Sequence, residues 1–172
     1  AILPGAKYSF NACTAGMPVG TLGAAEVEGL SAPIVAIGKV NIVNSGFTTA
    51  FNGVDAGSLQ MSLPYVRWGL QANYDAGIDQ RTFISIQNVG QLIPEGNTIL
   101  IKYWNHDGVL AGTHTYAVPA GGLATGAKFN SNASMCDIPL AEFGIYYTPA
   151  KKYGGAVTIE VASPYLLTAI GR

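Results

Sequence analysis

Three oxygen-bearing side chains lie close together in the segment from Asn73 to Asp79. Asp75 and Asp79 flank a glycine, and Asn73 stands beside them. Carboxylate and amide oxygens are the ligands that Ca²⁺ takes, in sets of about six to eight. Asp75 and Asp79 are therefore candidate calcium ligands, and the sequence predicts no other cofactor. The alternative is a plain polar loop, because three side chains are too few for a complete site.

Aromatic side chains are concentrated in a second segment, which contains Tyr146, Tyr147 and Tyr153. Aromatic faces stack on sugar rings, and the phenol hydroxyl supplies a hydrogen bond at the same time. Tyrosine is also enriched at protein interfaces. This aromatic loop is thus a candidate for binding a glycan or another protein.

Catalytic chemistry has few candidates in this chain. His106 falls in a turn and His114 in the strand after it, and no carboxylate is placed by the sequence to orient either ring. We expect an exposed turn histidine and a solvent-facing strand histidine. Serine-hydrolase, zinc-protease and phosphate-loop motifs are all absent. The sequence therefore predicts a protein that is not an enzyme.

The chain has two cysteines, Cys13 and Cys136. They form no metal-binding pair, and two cysteines in an exported protein are more often a disulfide than free thiols. A bond between them would close a loop over most of the chain, which stabilises by about 4 to 5 kcal/mol in the loop-entropy description. Whether the bond forms within one chain or between chains stays open.

Asn132-Ala133-Ser134 matches the sequon for attachment of a glycan to asparagine. Such a motif is modified only in exported proteins and only where the loop is exposed. Asn132 is therefore a candidate glycosylation site.

The elements that must position these residues are strands. Ile84 and Ile86, and then Ile99, Ile101 and Tyr103, alternate with polar residues at the period of a half-buried strand. Glycine and proline interrupt the chain every few residues, and no segment carries a helical period over three turns. Short strands with turn signals between them predict an all-β, Ig-like antiparallel sandwich. The predicted strands are Ala6–Asn11, Ala24–Glu28, Ile34–Val43, Phe47–Asn52, Ser58–Ser62, Thr82–Val89, Thr98–Trp104, Thr113–Val118, Gly126–Asn130, Ala156–Ala162 and Tyr165–Ile170.

Composition restricts the partners. Charged residues make up 11% of the chain, against about 25% in typical soluble domains. The formal net charge of -1 gives no field that would attract nucleic acid. No run of about 18 or more apolar residues is present, so we predict no membrane span. The first residues lack a start methionine, and we expect a mature chain whose signal peptide has been removed, with a trimmed chain as the alternative. The expected location is extracellular or at the cell surface.

The head of the chain resembles its tail. Residues Ala6–Cys13 match Ala127–Ser134 without a gap, and Glu28–Lys39 resemble Glu160–Arg172 after an insertion rich in tyrosine and lysine. Both matches keep their order, which favours an internal repeat over chance. We therefore divide the chain into an N-terminal strand segment, residues 1–32, that partly duplicates the C-terminal strands, and a sandwich domain, residues 33–172.

The order of motifs also resembles a known class of modules. PIVAIGKVN at residue 33, TFISIQNVG at 82, the Tyr103–Gly108 hairpin and VPAGG at 118 are similar to the repeating Ig-like sandwich modules of large secreted bacterial surface proteins. This resemblance implies an extracellular structural module and supplies no catalytic residue.

Together these observations predict a structural subunit of a filament, pilus-like fibre, sheath or surface layer. Identical subunits would pair through β-strands, with residues 1–32 donated to a neighbour, so we expect a homo-oligomer or homopolymer. The alternative for the repeat is that both copies are equivalent strands of one sandwich within the same chain. A carbohydrate-binding or adhesion module is the alternative. The expected assembly interface consists of Tyr8, Phe10, Ile34, Val35, Ile37, Tyr165 and Leu166.

Overall fold

The computed structural model describes residues 3, 6–12, 14–18, 23–30, 32–41, 48–54, 56–69, 80–138 and 155–172. The strands in these residues are β1 Ile37–Asn41, β2 Thr48–Asn52, β3 Gln60–Val66, β4 Trp68–Gly69, β5 Gln80–Arg81, β6 Ile84–Asn88, β7 Thr98–Asn105, β8 Leu110–Ala117, β9 Lys128–Ser131, β10 Gly155–Val161 and β11 Leu167–Gly171. A single 3₁₀ turn, Ala133–Cys136, is the helical element of the described ranges. It is too short to cross a membrane.

Two antiparallel sheets form the body of the molecule. One has four strands in the order β3-β10-β7-β8, and the other has three in the order β11-β6-β9. Apolar side chains from both sheets make one buried cluster. The predicted all-β, antiparallel sandwich is therefore confirmed, whereas its Ig-like character stays a prediction.

Alternation along the central strands explains how the sheets face each other. On β7 the side chains of Ile99, Ile101 and Tyr103 are buried, and those between them point outwards. β6 and β10 repeat this pattern. Side chains of successive strand residues point to opposite faces, so each sheet has one apolar and one solvated side.

The edge strand β3 contains an irregularity that matters for its outer face. Gly155 pairs with Val66 and Val157 with Leu63, so β3 has one extra residue between these pairs. Pro64 lies within this bulge, at the kind of edge position where a missing N–H leaves no ladder bond unmade.

One side of the sandwich is closed by the chain that leads into β3. The backbone groups of Ser58 and Leu167 exchange hydrogen bonds of 2.8 and 3.0 Å. Leu59 accepts a further bond from the Val161 N–H at 2.9 Å. β3 and β11, which belong to different sheets, are thereby held side by side.

The head of the chain behaves differently from the prediction. β1 and β2 pair with each other in a separate two-stranded sheet. Residues 6–11 and 23–29 form no strand, although strands are predicted at Ala6–Asn11 and Ala24–Glu28. A strand needs a hydrogen-bonding neighbour, and the described residues supply none to these two segments.

Candidate functional site

The β1–β2 hairpin exposes apolar side chains. Ile37 is 69% exposed, and Val35 and Ile34 just before it are 90% and 48% exposed. The Phe51 ring lies over Gly38, where any Cβ would clash with it. An isolated two-stranded sheet is only marginally stable in water. The hairpin therefore presents an apolar strand that lacks a covering layer in the described residues.

A similar sequence at the tail of the chain lies in β11, where one of its apolar residues is buried. Ala36-Ile37-Gly38-Lys39 matches Ala169-Ile170-Gly171-Arg172, which belongs to β11 and its end. Leu167, the counterpart of Ile34, is 1% exposed. One apolar pattern is thus packed in β11 and uncovered before and within β1.

The matched segment nearer the start shows the same contrast. Tyr8 is 74% exposed, whereas its counterpart Phe129 on β9 is buried. The Phe129 ring stacks on Tyr116 with 3.7 Å between ring centroids. Phe10 is also exposed. β9 and β11 flank β6 in the three-stranded sheet, so the head resembles both flanking strands of that sheet.

Strand β8 is the longest open edge in the described part of the chain. It pairs with β7 on one side, and no described backbone group bonds to its other side. The strand contains no proline, and His114 is its one titratable side chain apart from Tyr116. Edge strands of soluble proteins are usually protected by lysine, proline or a cover. β8 contains neither lysine nor proline. In the described residues its cover is the 3₁₀ turn, which packs on its inner face at Gly112.

The edge of β11 is less accessible than the sequence predicts for the strand Tyr165–Ile170. Ser58 occupies the outer edge at Leu167, and Tyr165 is half-buried against the core. Leu166 lies at the surface. The Thr168 Oγ1 atom is buried without a hydrogen-bond partner in the described residues, beside a groove of about 190 Å³.

A chain of hydroxyl and imidazole groups joins the two sheets. The Tyr103 hydroxyl lies 2.8 Å from Ser131 Oγ, and His114 Nδ1 lies 2.8 Å from the same atom. Burial raises the pKa of Tyr103 and lowers the pKa of His114. Ser131 is completely buried, so it has no access to a substrate as a nucleophile. The cluster holds β7, β8 and β9 together.

The position of His114 corrects the sequence prediction of a solvent-facing side chain. His114 pairs with Ile101, whose side chain is in the core, so the histidine points inwards as well. β8 begins at Leu110, before the predicted start at Thr113. The register set by the bulge near Trp104 determines the face, and the sequence does not reveal that register.

Comparisons with protein-family models, curated proteins and solved structures find no match for this chain. The site must therefore be interpreted from its own chemistry.

Several predicted site residues lie outside the described residues. These are the candidate calcium ligands Asp75 and Asp79, the aromatic loop residues Tyr146, Tyr147 and Tyr153, and Cys13. The calcium site, the aromatic loop and the disulfide stay predictions. Within the described ranges, no three His, Cys, Asp or Glu side chains are grouped as metal ligands would be.

Cys136 and Asn132 belong to the 3₁₀ turn and its cap. The Cys136 thiol lies 3.3 Å from the Ala133 carbonyl oxygen, and burial, with a contribution from the Asp137 charge, raises its pKa to about 11. The Asn132 side chain accepts a hydrogen bond of 3.0 Å from the Ser134 N–H. Glycosylation of Asn132 stays a prediction.

Proposed function

We propose that this protein is an extracellular structural subunit that assembles by pairing β-strands between identical chains. It acts without catalysis, as part of a filament, sheath or surface layer. The proposal is supported by one observation above all: Tyr8 and Ile34 are exposed in the head, whereas their counterparts in the repeat, Phe129 on β9 and Leu167 on β11, are buried.

The physical argument starts from the uncovered side chains. Covering one aliphatic side chain such as Ile37 or Val35 stabilises a complex by about 1.5 to 3 kcal/mol. Main-chain hydrogen bonds add direction and register, as in other cases of strand addition. A second copy of the chain is the partner that carries strands matched to this pattern.

Open edges on both partners allow such pairing. Among the described residues, β1 pairs with β2 on one side only, and β8 pairs with β7 on one side only. Joining the open side of β1 to the open side of β8 in a neighbour would make a sheet continuous between the two subunits. Each subunit has both edges, so the contact is head-to-tail and repeats along a fibre.

The size of the contact sets the expected strength. Stable interfaces bury about 1,200 to 2,000 Å² in total, and the five residues of β1 alone cover less than this. Additional segments of the head, including Tyr8 and Phe10, must join the contact. We therefore expect assembly that depends strongly on protein concentration.

Light scattering on the purified chain tests this function. The mass should grow with concentration for the natural sequence and stay monomeric for the double variant Val35→Asp, Ile37→Asp. Leu92→Asp, which adds one negative charge at an exposed aliphatic side chain outside the head, is the control and should assemble normally. A natural chain that stays monomeric up to about millimolar concentration, or a double variant that assembles equally well, would overturn the proposal.

The low content of charged residues, 11% of the chain, favours a location outside the cell. Intact-mass analysis of the protein from its native source would test this through the glycan expected on Asn132 and the disulfide expected at Cys136.

A further inference from the structure

The outer face of the four-stranded sheet carries aromatic and charged side chains that take no part in the proposed pairing of strands. In the row nearest the β7–β8 turn, Ala156 pairs with Trp104, and Trp104 pairs with Leu110. In the next rows lie Lys102 and Glu160, whose side chains form an ion pair of 2.7 Å. Ion pairing neutralises this face locally and leaves it polar.

The indole of Trp104 is held in a fixed orientation. Its Nε1–H donates a hydrogen bond of 2.9 Å to Thr158 Oγ1 on the neighbouring strand. Thr158 lies two residues along β10 from Ala156, the partner of Trp104, so this bond holds the indole against the outer face of β10. An indole fixed in this way loses little conformational freedom when a ligand packs against it.

Tyr65 stands on the opposite side of the same row. The bulge in β3 places it outside, and it is 50% exposed. The guanidinium of Arg67 lies 5.0 Å from the centre of its ring and restrains it. β10 runs between the strands of Tyr65 and Trp104, so their backbones are about two strand spacings, roughly 10 Å, apart.

Small residues on β10 turn this gap into a cleft. Gly155 and Ala156 form its floor, Pro64 and Tyr65 form one wall, and Trp104 and His106 form the other. The cleft is widely open to solvent, and its volume of about 360 Å³ is near the lower end of the range of about 300 to 1,000 Å³ for small-molecule sites. Aromatic side chains from two strands, Tyr65 of β3 and Trp104 of β7, line it.

Polar groups surround the open end of the cleft. The side-chain carbonyl oxygen of Asn105 accepts hydrogen bonds from the backbone N–H groups of Asp107 and Val109. The NH₂ group of the same side chain is therefore directed away from the turn backbone. His106 pairs with Asp107 at 2.9 Å. The described residues that line the cleft include no Asp, Glu, Lys or Arg, which favours a neutral ligand over an anion or a cation.

We propose that this cleft binds a neutral sugar ring of a polysaccharide. The C–H face of a pyranose packs on the Trp104 indole, Tyr65 contacts the sugar from the β3 side of the cleft, and the Asn105 and His106 side chains bond the hydroxyl groups. The site is distinct from the aromatic loop predicted at Tyr146 to Tyr153, and it does not depend on the assembly proposed above.

Affinity electrophoresis tests the site with defined probes. The purified chain is run in gels containing hydroxyethylcellulose, laminarin or mannan, with alginate as the anionic comparison. We expect at least one neutral polysaccharide to retard the chain, and Trp104→Ala to weaken that binding at least tenfold. Trp104→Phe should retain part of it. Phe83→Ala, which removes an exposed aromatic ring outside the cleft, should bind like the natural chain.

Fluorescence gives a measurement that leaves the cleft unaltered. The chain has two tryptophans, so Trp68→Phe makes Trp104 the sole indole emitter. Adding the retarding polysaccharide should change the Trp104 emission with the same concentration dependence as the retardation. The proposal is wrong if no neutral polysaccharide binds, if alginate alone binds, or if the Trp104 emission and the Trp104→Ala affinity are unchanged.

Discussion

The hydroxyl groups of Tyr103 and Ser131 lie 2.8 Å apart and join the two sheets through a buried hydrogen bond. Tyr103 belongs to β7 in one sheet and Ser131 to β9 in the other. Most other contacts between the sheets are apolar and tolerate sliding. This bond fixes the position of one sheet on the other because it is directional.

Removing the Tyr103 hydroxyl should therefore destabilise the sandwich. For Tyr103→Phe we expect a loss of about 1 to 2 kcal/mol, because a buried hydrogen bond is lost while His114 still partners Ser131. Urea unfolding followed by circular dichroism measures the change. Tyr116→Phe is the control, since it keeps the ring that stacks on Phe129 and should shift stability by less than about 0.5 kcal/mol. Equal effects of the two substitutions would contradict the bridging role.

Stability should also fall in mild acid because of His114. Burial lowers the pKa of His114 in the folded chain, so the folded state favours the neutral ring. The resulting stability is fully present above the unfolded pKa of about 6.5 and is lost as the pH falls towards the lowered folded pKa. Tyr103 and Cys136, the neighbouring titratable groups, have raised pKa values and stay neutral in this range.

Urea unfolding midpoints measured from about pH 7.5 to pH 5 test this dependence, because that range spans the pKa of about 6.5 of histidine in the unfolded chain. The natural chain should lose stability across the range, and His114→Gln should lose less of it. His106→Gln, on the exposed turn, should behave like the natural chain. If His114→Gln leaves the pH profile unchanged, the buried imidazole is not the cause.

A side chain at Gly112 should disturb the packing of the 3₁₀ turn on β8. A Cβ there would lie 2.8 Å from Ile138 Cγ1 and 3.3 Å from the Cys136 Sγ atom. Overpacking of this kind costs about 1 to 3 kcal/mol, and we expect that loss for Gly112→Ala in urea unfolding. Gly23 has no atom within 4 Å of the corresponding position, so Gly23→Ala should change stability little. A Gly112→Ala chain as stable as the Gly23→Ala chain would show that the turn does not pack there.

The two edges of the four-stranded sheet can be compared directly for assembly. Thr115 and Ala117 are exposed on β8 at one edge, and Ser62 is exposed on β3 at the other. Lysine on an edge strand prevents strand addition. The double variant Thr115→Lys, Ala117→Lys should therefore abolish growth in light scattering, whereas Ser62→Lys should not. The reverse result would place the accepting edge on β3.

The sequence predicts the strands well where hydrophobic alternation is strong. β7 begins at Thr98 as predicted and ends one residue later, and the buried positions of β6 and β7 agree with the alternation. These strands are central in their sheets, so local pattern and burial agree. The predictions at Ala6–Asn11 and Ala24–Glu28 were wrong for this molecule, because a pattern suited to a strand forms one only beside a partner.

The side-chain clusters could not be predicted in the same way. The contact of His114 with Ser131 depends on the register of β7 against β8, and that register is shifted by a bulge. The cleft beside Trp104 depends on a second bulge in β3, which turns Tyr65 outwards. Single-residue bulges leave little trace in the sequence, yet each one changes the face on which a side chain lies.

Amide hydrogen exchange at rising protein concentration tests strand pairing between subunits most directly. An edge N–H that gains a hydrogen bond to a second copy exchanges more slowly. We predict that protection will increase with concentration in β1 and at alternate residues of β8, while the central strand β10 stays unchanged. Exchange in β1 and β8 that is the same in dilute and concentrated samples would contradict the account.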